Sequence, residues 1–465
     1  MEGEGARIPG GSLENPIFVV ERIMWLVESR QSVEEAQIRR AGELLGTPVK
    51  RVEALRARYS DVFSRFIEKR CSETGSEYRV CIYSWNRKRA FKAFPASLYA
   101  TGTIIVFRGN EPLEVMCNPL PKALDYPVAA EHIPGSTIPY YVSERIDGWQ
   151  VNAYYDKILG RWVFSTKYVL HNMYFSRGIL NIDRYGEISN PIVSLADEIA
   201  SRENIYAMLE GLEGWSFIFV LLGPEPAITS PPYPIAPDPQ EYKLYLVAAR
   251  RSDGVLVTGT EAGKMIGWSL IPAERIAKPL EDLYSEIRGS IATRSLIAWI
   301  KTDRGDPVIL EIPSQYYYDA MMVKHLRDAK SASILCSEDL CEEISKLVPE
   351  DLGERVKAIG RIYRDLVEAL EHGLLDEKAF SAIADAINEI RGERVITARE
   401  ILDETLSRNY RRLARKILAL ALEDKSLASS EVMDILVKIK SIARFNNTNE
   451  TKLPWTPKTN NSYSG

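Results

Sequence analysis

From Asn15 to about Arg70 the apolar residues recur at helical spacing: Ile17, Val20, Met24 and Val27 form one stripe, and Val52, Leu55, Tyr59, Phe63 and Phe66 a second. Between the stripes Gly46 is placed to end a helix, Thr47 to cap the next one, and Pro48 to occupy its first position, where a missing N–H costs nothing. The second helix carries Lys50, Arg51, Arg56 and Arg58. Two readings are open: a helix-turn-helix that meets nucleic acid, or, with more weight, a packing or dimerisation bundle with solvated charges.

After a polar break at Ser72–Ser76 the pattern changes to short β-branched and aromatic runs. They predict strands over Tyr78–Trp85, Thr103–Phe107, Trp149–Tyr155, Arg161–Thr166, Phe217–Leu222, Tyr242–Ala249, Ser295–Lys301 and Pro307–Ile312, interrupted by helical inserts such as Ile192–Ile199. Beyond about Lys330 the spacing is helical again, with stripes at Ile359, Ile362, Leu366, Leu370 and at Phe380, Ile383, Ile387, Ile390. Gly373 and Gly392 are placed as helix stops. Thr397 with Glu400 predicts a capping box opening a helix that runs through Leu402, Leu406, Tyr410, Leu413 and Ile417. The expected organisation is an N-terminal helical segment (12–71), an α+β domain of mostly antiparallel sheets (75–335), an all-helical domain (336–445) and a polar, Asn/Thr-rich tail (446–465) expected to be disordered.

Composition narrows the function classes. The chain has 465 residues, of which 45% are apolar and 26% charged, as expected of a multi-domain globular protein. Its 59 basic and 64 acidic side chains give a net charge of −5, so no global field draws it to nucleic acid or an anionic membrane, and any phosphate contact must be local. Two local candidates exist. Residues 21–70 hold 11 Lys/Arg against 8 Asp/Glu, and Arg408, Arg411, Arg412, Arg415 and Lys416 crowd one C-terminal stretch, with 408, 412 and 415–416 on one helical face. That second run tracks a phosphate backbone or, with more weight, is a solvated face paired with Asp403, Glu404 and Glu423. Five cysteines without a CxxC pair suggest a reducing interior rather than a disulfide framework, and four scattered histidines argue against a His-based metal site. The most apolar stretch, Trp215 to Gly223, is about half of the roughly 20 residues a membrane-spanning helix needs, and the N-terminus lacks the order of a signal peptide. A cytoplasmic protein without a membrane partner is expected.

Chemistry enters through an ordered series of blocks. Tyr78-Arg-Val-Cys-Ile-Tyr-Ser-Trp85 is followed by Ala100-Thr-Gly-Thr-Ile-Ile-Val-Phe107, by Asn118-Pro-Leu-Pro-Lys122-Ala-Leu-Asp-Tyr126, and by Ser143-Glu-Arg-Ile-Asp-Gly-Trp-Gln150. Next come a strand pair ending in Phe164-Ser-Thr-Lys167, the stretch Trp215–Pro224, and Lys243–Gly254 with Arg250. Arg294-Ser-Leu-Ile-Ala298 and Leu310-Glu-Ile-Pro-Ser-Gln-Tyr-Tyr317 close the series. In order and spacing, over roughly residues 75–335, it resembles the RNA ligase 1 family, the phage-type enzymes that repair cut tRNA. The resemblance implies a nucleotidyltransferase (ATP-dependent ligase-like) domain of antiparallel sheets, flanked here by the helical extension and the all-α domain. It also implies a nucleotide cleft lined by Lys122, Asp147, Gly148, Lys167, Arg250, Ser314 and Tyr317.

Six positions depart from the family's pattern. Arg145 stands where the family's lysine attacks the α-phosphate of ATP, and a guanidinium with a pKa above roughly 12 and delocalised lone pairs is a very poor nucleophile. Val220 and Arg294 stand where glutamates help hold metal; Glu311 and Pro313 replace two triphosphate-neutralising lysines, and Thr101 replaces an arginine. Glu144, Glu213, Glu225 and Glu286 lie near enough in sequence to substitute for the missing glutamates, and Lys157 or Lys122 for the nucleophile. The bland readings stand beside these: Asp-Gly is a common turn, Lys167 a solvated strand end, and Tyr316–Tyr318 core aromatics.

The expectation is therefore a catalytically inactive RNA ligase-like protein, with no catalytic residue, no metal and no cofactor. It binds RNA (tRNA or broken RNA ends) or supports a protein partner in RNA repair. One alternative is an ATP-dependent RNA ligase that uses ATP, Mg²⁺ and a displaced lysine; another is a DNA-binding regulator acting through the N-terminal helices.

Overall fold

The computed structural model describes residues 15–443 except 75–76, 87–90, 175–180, 183–187, 225–237, 291–292, 303–304, 316, 318–327 and 347, with the side chains of 181–182 and 188–189 also outside the description. The polar tail and Glu225 therefore lie outside the described residues. The chain divides into two compact units, Met1–Tyr317 and Tyr318–Gly465.

The first unit opens with α1 (Pro16–Glu28), α2 (Glu35–Leu44) and α3 (Val52–Arg65). The Asn15 side chain caps α1 by accepting from the Ile17 and Phe18 amides at 2.9 and 3.4 Å, and Pro16 holds the first position. The stripe Ile17, Val20, Met24 and Val27 is buried as its spacing requires. Two expectations need correction. Thr47 and Pro48 do not open a helix: α3 starts at Val52 behind Arg51, and the Thr47 hydroxyl donates to the Gly46 carbonyl at 2.7 Å. Nor does helix continue to Arg70. The Phe66 amide bonds back to Val62, and Ile67–Glu73 becomes strand β1, because seven residues find partners along β2 (Tyr78–Trp85), from Ile67↔Trp85 to Glu73↔Arg79. Strand pairing overrides a local helical pattern.

Thereafter come α4 (Pro95–Leu98), β3 (Thr101–Arg108), β4 (Glu111–Cys117), β5 (Leu124–Asp125), α5 (Tyr126–Ala129), β6 (Tyr141–Glu144), β7 (Trp149–Asp156) and β8 (Arg161–Thr166). They are followed by β9 (Asn181–Ile182), β10 (Ile188–Ser189), α6 (Pro191–Arg202), α7 (Ile205–Met208), β11 (Ser216–Leu222), β12 (Lys243–Arg250) and β13 (Leu256–Thr258). α8 (Gly259–Ile266), α9 (Leu280–Arg288), β14 (Ser295–Ile300) and β15 (Val308–Pro313) complete the unit. Each predicted strand is present within a residue or two. The strands form one sheet ordered β1-β2-β3-β4, a second ordered β13-β12-β11-β7-β8 and a third ordered β5-β15-β14-β6, plus the pair β9–β10. All pairings are antiparallel except β5 with β15.

Period-2 alternation explains how the layers stack. On β2, Cys81 and Tyr83 face the core shared with α1–α3, whereas Val80 and Ile82 meet Tyr154 and Val163 of the second sheet. On β11, Phe217, Phe219 and Leu221 pack with α6 residues Ile192, Leu195 and Ile199, and Ile218 points the other way, to Trp299 and Ile309 of the third sheet. Burying each such large side chain is worth roughly 1.5–3 kcal/mol. The stretch Trp215–Gly223 is thus a sheet centre, and no helix among the described residues is long and apolar enough to cross a membrane.

The second unit is all helical: α10 (Ala329–Ser337), α11 (Cys341–Ser345), α12 (Glu350–Glu371), α13 (Glu377–Arg391), α14 (Ala398–Leu406), α15 (Tyr410–Ala421) and α16 (Ser430–Ala443). Ile359, Ile362, Leu366 and Leu370 are buried on α12, Gly392 ends α13 at φ +70°, and Thr397 and Glu400 form the capping box. The helix opened there does not run to Ile417. It ends at Leu406, and Arg408 turns the chain at φ +56° before Asn409 caps α15.

The expectation of reduced cysteines is also overturned. Cys71 and Cys81, cross-strand partners on β1 and β2, form a disulfide, as do Cys336 and Cys341, leaving Cys117 free and buried. Strand register brings the first pair together at a Cα–Cα separation of 4.0 Å, and the turn between α10 and α11 brings the second to 4.6 Å.

Candidate functional site

A cavity of about 260 Å³ opens where the second and third sheets converge. Its wall includes Trp85 from the end of β2, Thr101 from β3, Lys122, Arg145, Lys167 and Glu311, with Val220, Val247, Ile297 and Trp299 supplying apolar surface. Seven predicted positions thus meet in one place: Thr101, Lys122, Arg145, Gly148, Lys167, Val220 and Glu311. Gly148 is required by close approach. A Cβ there would strike the Leu221 carbonyl and come within 2.9 Å of a Val220 methyl, so the turn between β6 and β7 packs tightly over β11 only without a side chain. The Lys122 amide donates to the Leu98 carbonyl at 2.8 Å, which holds that segment against the end of α4.

Arg145, expected from the resemblance to stand in place of a nucleophilic lysine, is held by several side chains. Its guanidinium donates to the Asp147 carboxylate and the Tyr317 hydroxyl, its Nε lies 3.1 Å from Glu311, and it sits 5.3 Å from the Tyr317 ring centroid. Asp147, only 7% exposed, also accepts from the Tyr317 hydroxyl at 3.0 Å and from Arg294 at 3.1 Å. Ser295 donates to Glu311 at 3.2 Å. Burial lowers the Arg145 pKa, but Glu311 and Asp147 outweigh it and hold the guanidinium above its ordinary value. Burial also raises the Tyr317 pKa, with Asp147 and Glu311 adding to the rise and Arg145 opposing it, so the phenol stays protonated as a donor. Four of the residues that depart from or preserve the family's pattern (Arg145, Asp147, Arg294, Glu311) therefore form one network of balanced charge.

Not every candidate lies on that wall. Arg250 is not part of the cavity. It is 1% exposed, paired through both terminal nitrogens with Asp306 at 2.7 and 2.8 Å, and completed by the Gly254 and Pro119 carbonyls. The last three residues of β12, Ala248, Ala249 and Arg250, are all buried, so this side chain ends in the interior. Ser314 is buried and accepts from the Tyr317 amide at 3.1 Å, thereby placing that tyrosine. Pro313 closes β15 opposite Ser295. Thr101 donates to the Leu120 carbonyl at 2.7 Å. Lys157 is exposed on the turn after β7 and pairs with Glu114, away from the cavity wall. Among the stand-in glutamates, Glu144 lines the cavity but pairs with Arg275, Glu286 pairs with Lys278 at 2.6 Å, and Glu213 is outside the wall.

The two basic stretches are partly used up internally. Arg58 donates to the Leu45 carbonyl at 2.7 and 3.1 Å and pairs with Asp61, tying α3 to the end of α2, whereas Lys50, Arg51 and Arg56 are exposed. In the second unit Arg415 pairs with Glu338, Arg411 with Asp339 at 3.4 Å and Lys416 with Glu404 at 3.7 Å; Arg408 lies in the turn and so shares no helix with Arg412. Among the described residues no group of three or more His, Cys, Asp or Glu is placed to hold a metal ion. Trp85 lines the cavity without a signal in the sequence: it closes the first block, but nothing in a strand-end tryptophan says which layer it will face.

No protein-family model and no curated protein matches the chain. Among solved structures it is distantly similar to two forms of an archaeal ATP-dependent RNA ligase, at 14% and 16% identity and a TM-score of 0.35. It is also similar to an RNA ligase of Naegleria gruberi, at 9% identity and a TM-score of 0.27 over 54% of this chain and 96% of that one. The archaeal matches cover 60% of this chain, which spans 64% of the archaeal enzyme's length.

Proposed function

We propose that this protein is a catalytically silent relative of the RNA ligases that binds RNA through the cleft of its first unit. The carrying observation is the engagement of Arg145: a side chain that cannot act as the nucleophile is held by Asp147, Tyr317 and Glu311 at the position where the chemistry would begin. The residues present do not fit ATP with Mg²⁺. Glu311, a carboxylate on the cavity wall, is taken by Arg145, and Val220 offers no oxygen ligand. What supports RNA binding is the retention of Lys122 and Lys167 on the same wall. An active enzyme using Lys122 is favoured by that residue's place in the cavity, and one experiment separates the readings. Incubation with α-labelled ATP and Mg²⁺ or Mn²⁺ is expected to leave the protein unlabelled, while nicked tRNA or single-stranded RNA shifts in a gel at low salt. A base-stable, acid-labile adduct lost in Lys122→Ala establishes the enzyme instead; absence of any RNA shift removes the binding reading.

A further inference from the structure

Beside the Arg145 network the cavity wall carries Trp85, Lys122 and Lys167, and the rings of Phe91 and Tyr168 lie next to them. Trp85 lines the cavity and lies 6.3 Å from the Tyr168 ring and 6.2 Å from Phe91. Lys122 Nζ sits 4.9 Å from the Phe91 centroid and 5.7 Å from that of Trp85, and Lys167 Nζ lies 5.3 Å from the Tyr168 centroid. The partly exposed rings of Trp85 and Tyr168 thus each have a lysine beside them. Among the described residues Lys122 has no carboxylate partner; its polar contact is the Ala123 carbonyl at 3.5 Å.

Resting on the RNA-binding reading above, we infer that the cavity receives one unpaired base of a single RNA strand, stacked against Trp85, with the neighbouring phosphodiesters on Lys122 and Lys167. Three observations favour a strand over a free nucleoside triphosphate. The cavity, about 260 Å³, falls just under the roughly 300–1,000 Å³ usual for small-molecule pockets, so it has room for one ring system and little more. The carboxylates on its wall, Glu144 and Glu311, are taken up by Arg275 and Arg145, so they do not receive the metal ion that accompanies a triphosphate. Each ring of the pair has its own lysine beside it, as single charges meeting successive phosphates of a backbone would be placed. Duplex RNA cannot use this site, because its bases are paired within the helix.

The test is fluorescence anisotropy with a labelled RNA strand of about 12 nucleotides, a length within the usual single-strand site size. Trp85→Ala and Tyr168→Ala are expected to weaken binding about 5- to 150-fold, the range for losing one stacking aromatic, and Trp85→Phe much less. Lys122→Ala with Lys167→Ala is expected to lower the slope of log affinity against log salt by about 1.4, the value for two single-strand phosphates. Since Trp85→Ala can fail to fold, an iodouridine-containing strand crosslinked to the wild-type protein supplies an independent readout, with the adduct expected on Trp85 or Tyr168. If the wild-type binds the strand but these variants bind equally well and the crosslink maps elsewhere, the site is wrong while RNA binding stands. If a duplex or ATP displaces the strand at comparable concentration, the preference for an unpaired strand is overturned. If the wild-type binds no RNA, the broader reading falls with it.

Discussion

The first unit contains the same trio of an arginine, an aspartate and a tyrosine twice, in two settings. Arg250, Asp306 and Tyr99 lie in the interior: arginine and aspartate pair through two parallel bonds, Tyr99 donates to the same carboxylate, and two backbone carbonyls take further guanidinium protons. Arg145, Asp147 and Tyr317 stand at a cavity, where Arg145 is 28% exposed and its remaining partners are the side chains of Glu311 and, through Asp147, Arg294. Both arginines lie where the family pattern implied nucleotide chemistry. Backbone partners make the first trio a brace between strand and loop, whereas side-chain partners and solvent contact make the second a plug in a cleft. The residue types do not distinguish the two; the surroundings do.

Removing single members should reveal the difference. The largest effect is expected at the brace: Asp306→Ala leaves Arg250 buried without its counter-ion and should cost about 3–5 kcal/mol in chemical denaturation. Asp147→Ala should cost less, roughly 1.5–3 kcal/mol, the worth of hydrogen bonds to a charged group, because Glu311 still holds Arg145. Arg145→Ala should cost less again, because Asp147 keeps Arg294 and Tyr317 as partners. Equal costs for Asp147→Ala and Asp306→Ala would erase the distinction between brace and plug. Arg145→Lys sharpens it chemically: the protein should remain unlabelled by α-labelled ATP, because Val220 and Glu311 still deny the site a metal ligand and a triphosphate partner.

A smaller effect concerns the cysteines. Burial pushes the Cys117 thiol up to about 12, against the opposing pull of Ser216 and Arg250, so thiol reagents should find no reactive thiol in the native, unreduced protein and one after denaturation. Three or more thiols in the denatured, unreduced protein would remove one or both disulfides.

How much was legible in the sequence differs by element. The strands from Tyr78 onward were readable as short β-branched and aromatic runs between turn residues, and the stripes on α1, α12 and α13 because each helix buries one face, which leaves a period in the chain. The capping residues at Thr397 and the stop at Gly392 were readable because they act within one turn of helix. The strand at Ile67–Glu73, the break at Arg408 and the start of α3 were not, because each is decided by what lies beside the segment rather than along it.

For the site, the sequence alone determined that a lysine's chemistry is absent at Arg145, since no surroundings turn a guanidinium into an amine nucleophile. It also determined the order of blocks that brings Lys122, Gly148, Lys167 and Val220 to one wall. Only the tertiary structure decided that Arg145, Arg294, Asp147 and Glu311 neutralise one another, that Arg250 is a brace, and that Trp85 faces the cavity. The physical reason is the same in each case: identity sets what a group can do, but a charge or a ring acts on whatever the fold places within a few ångströms, and sequence distance does not encode that separation.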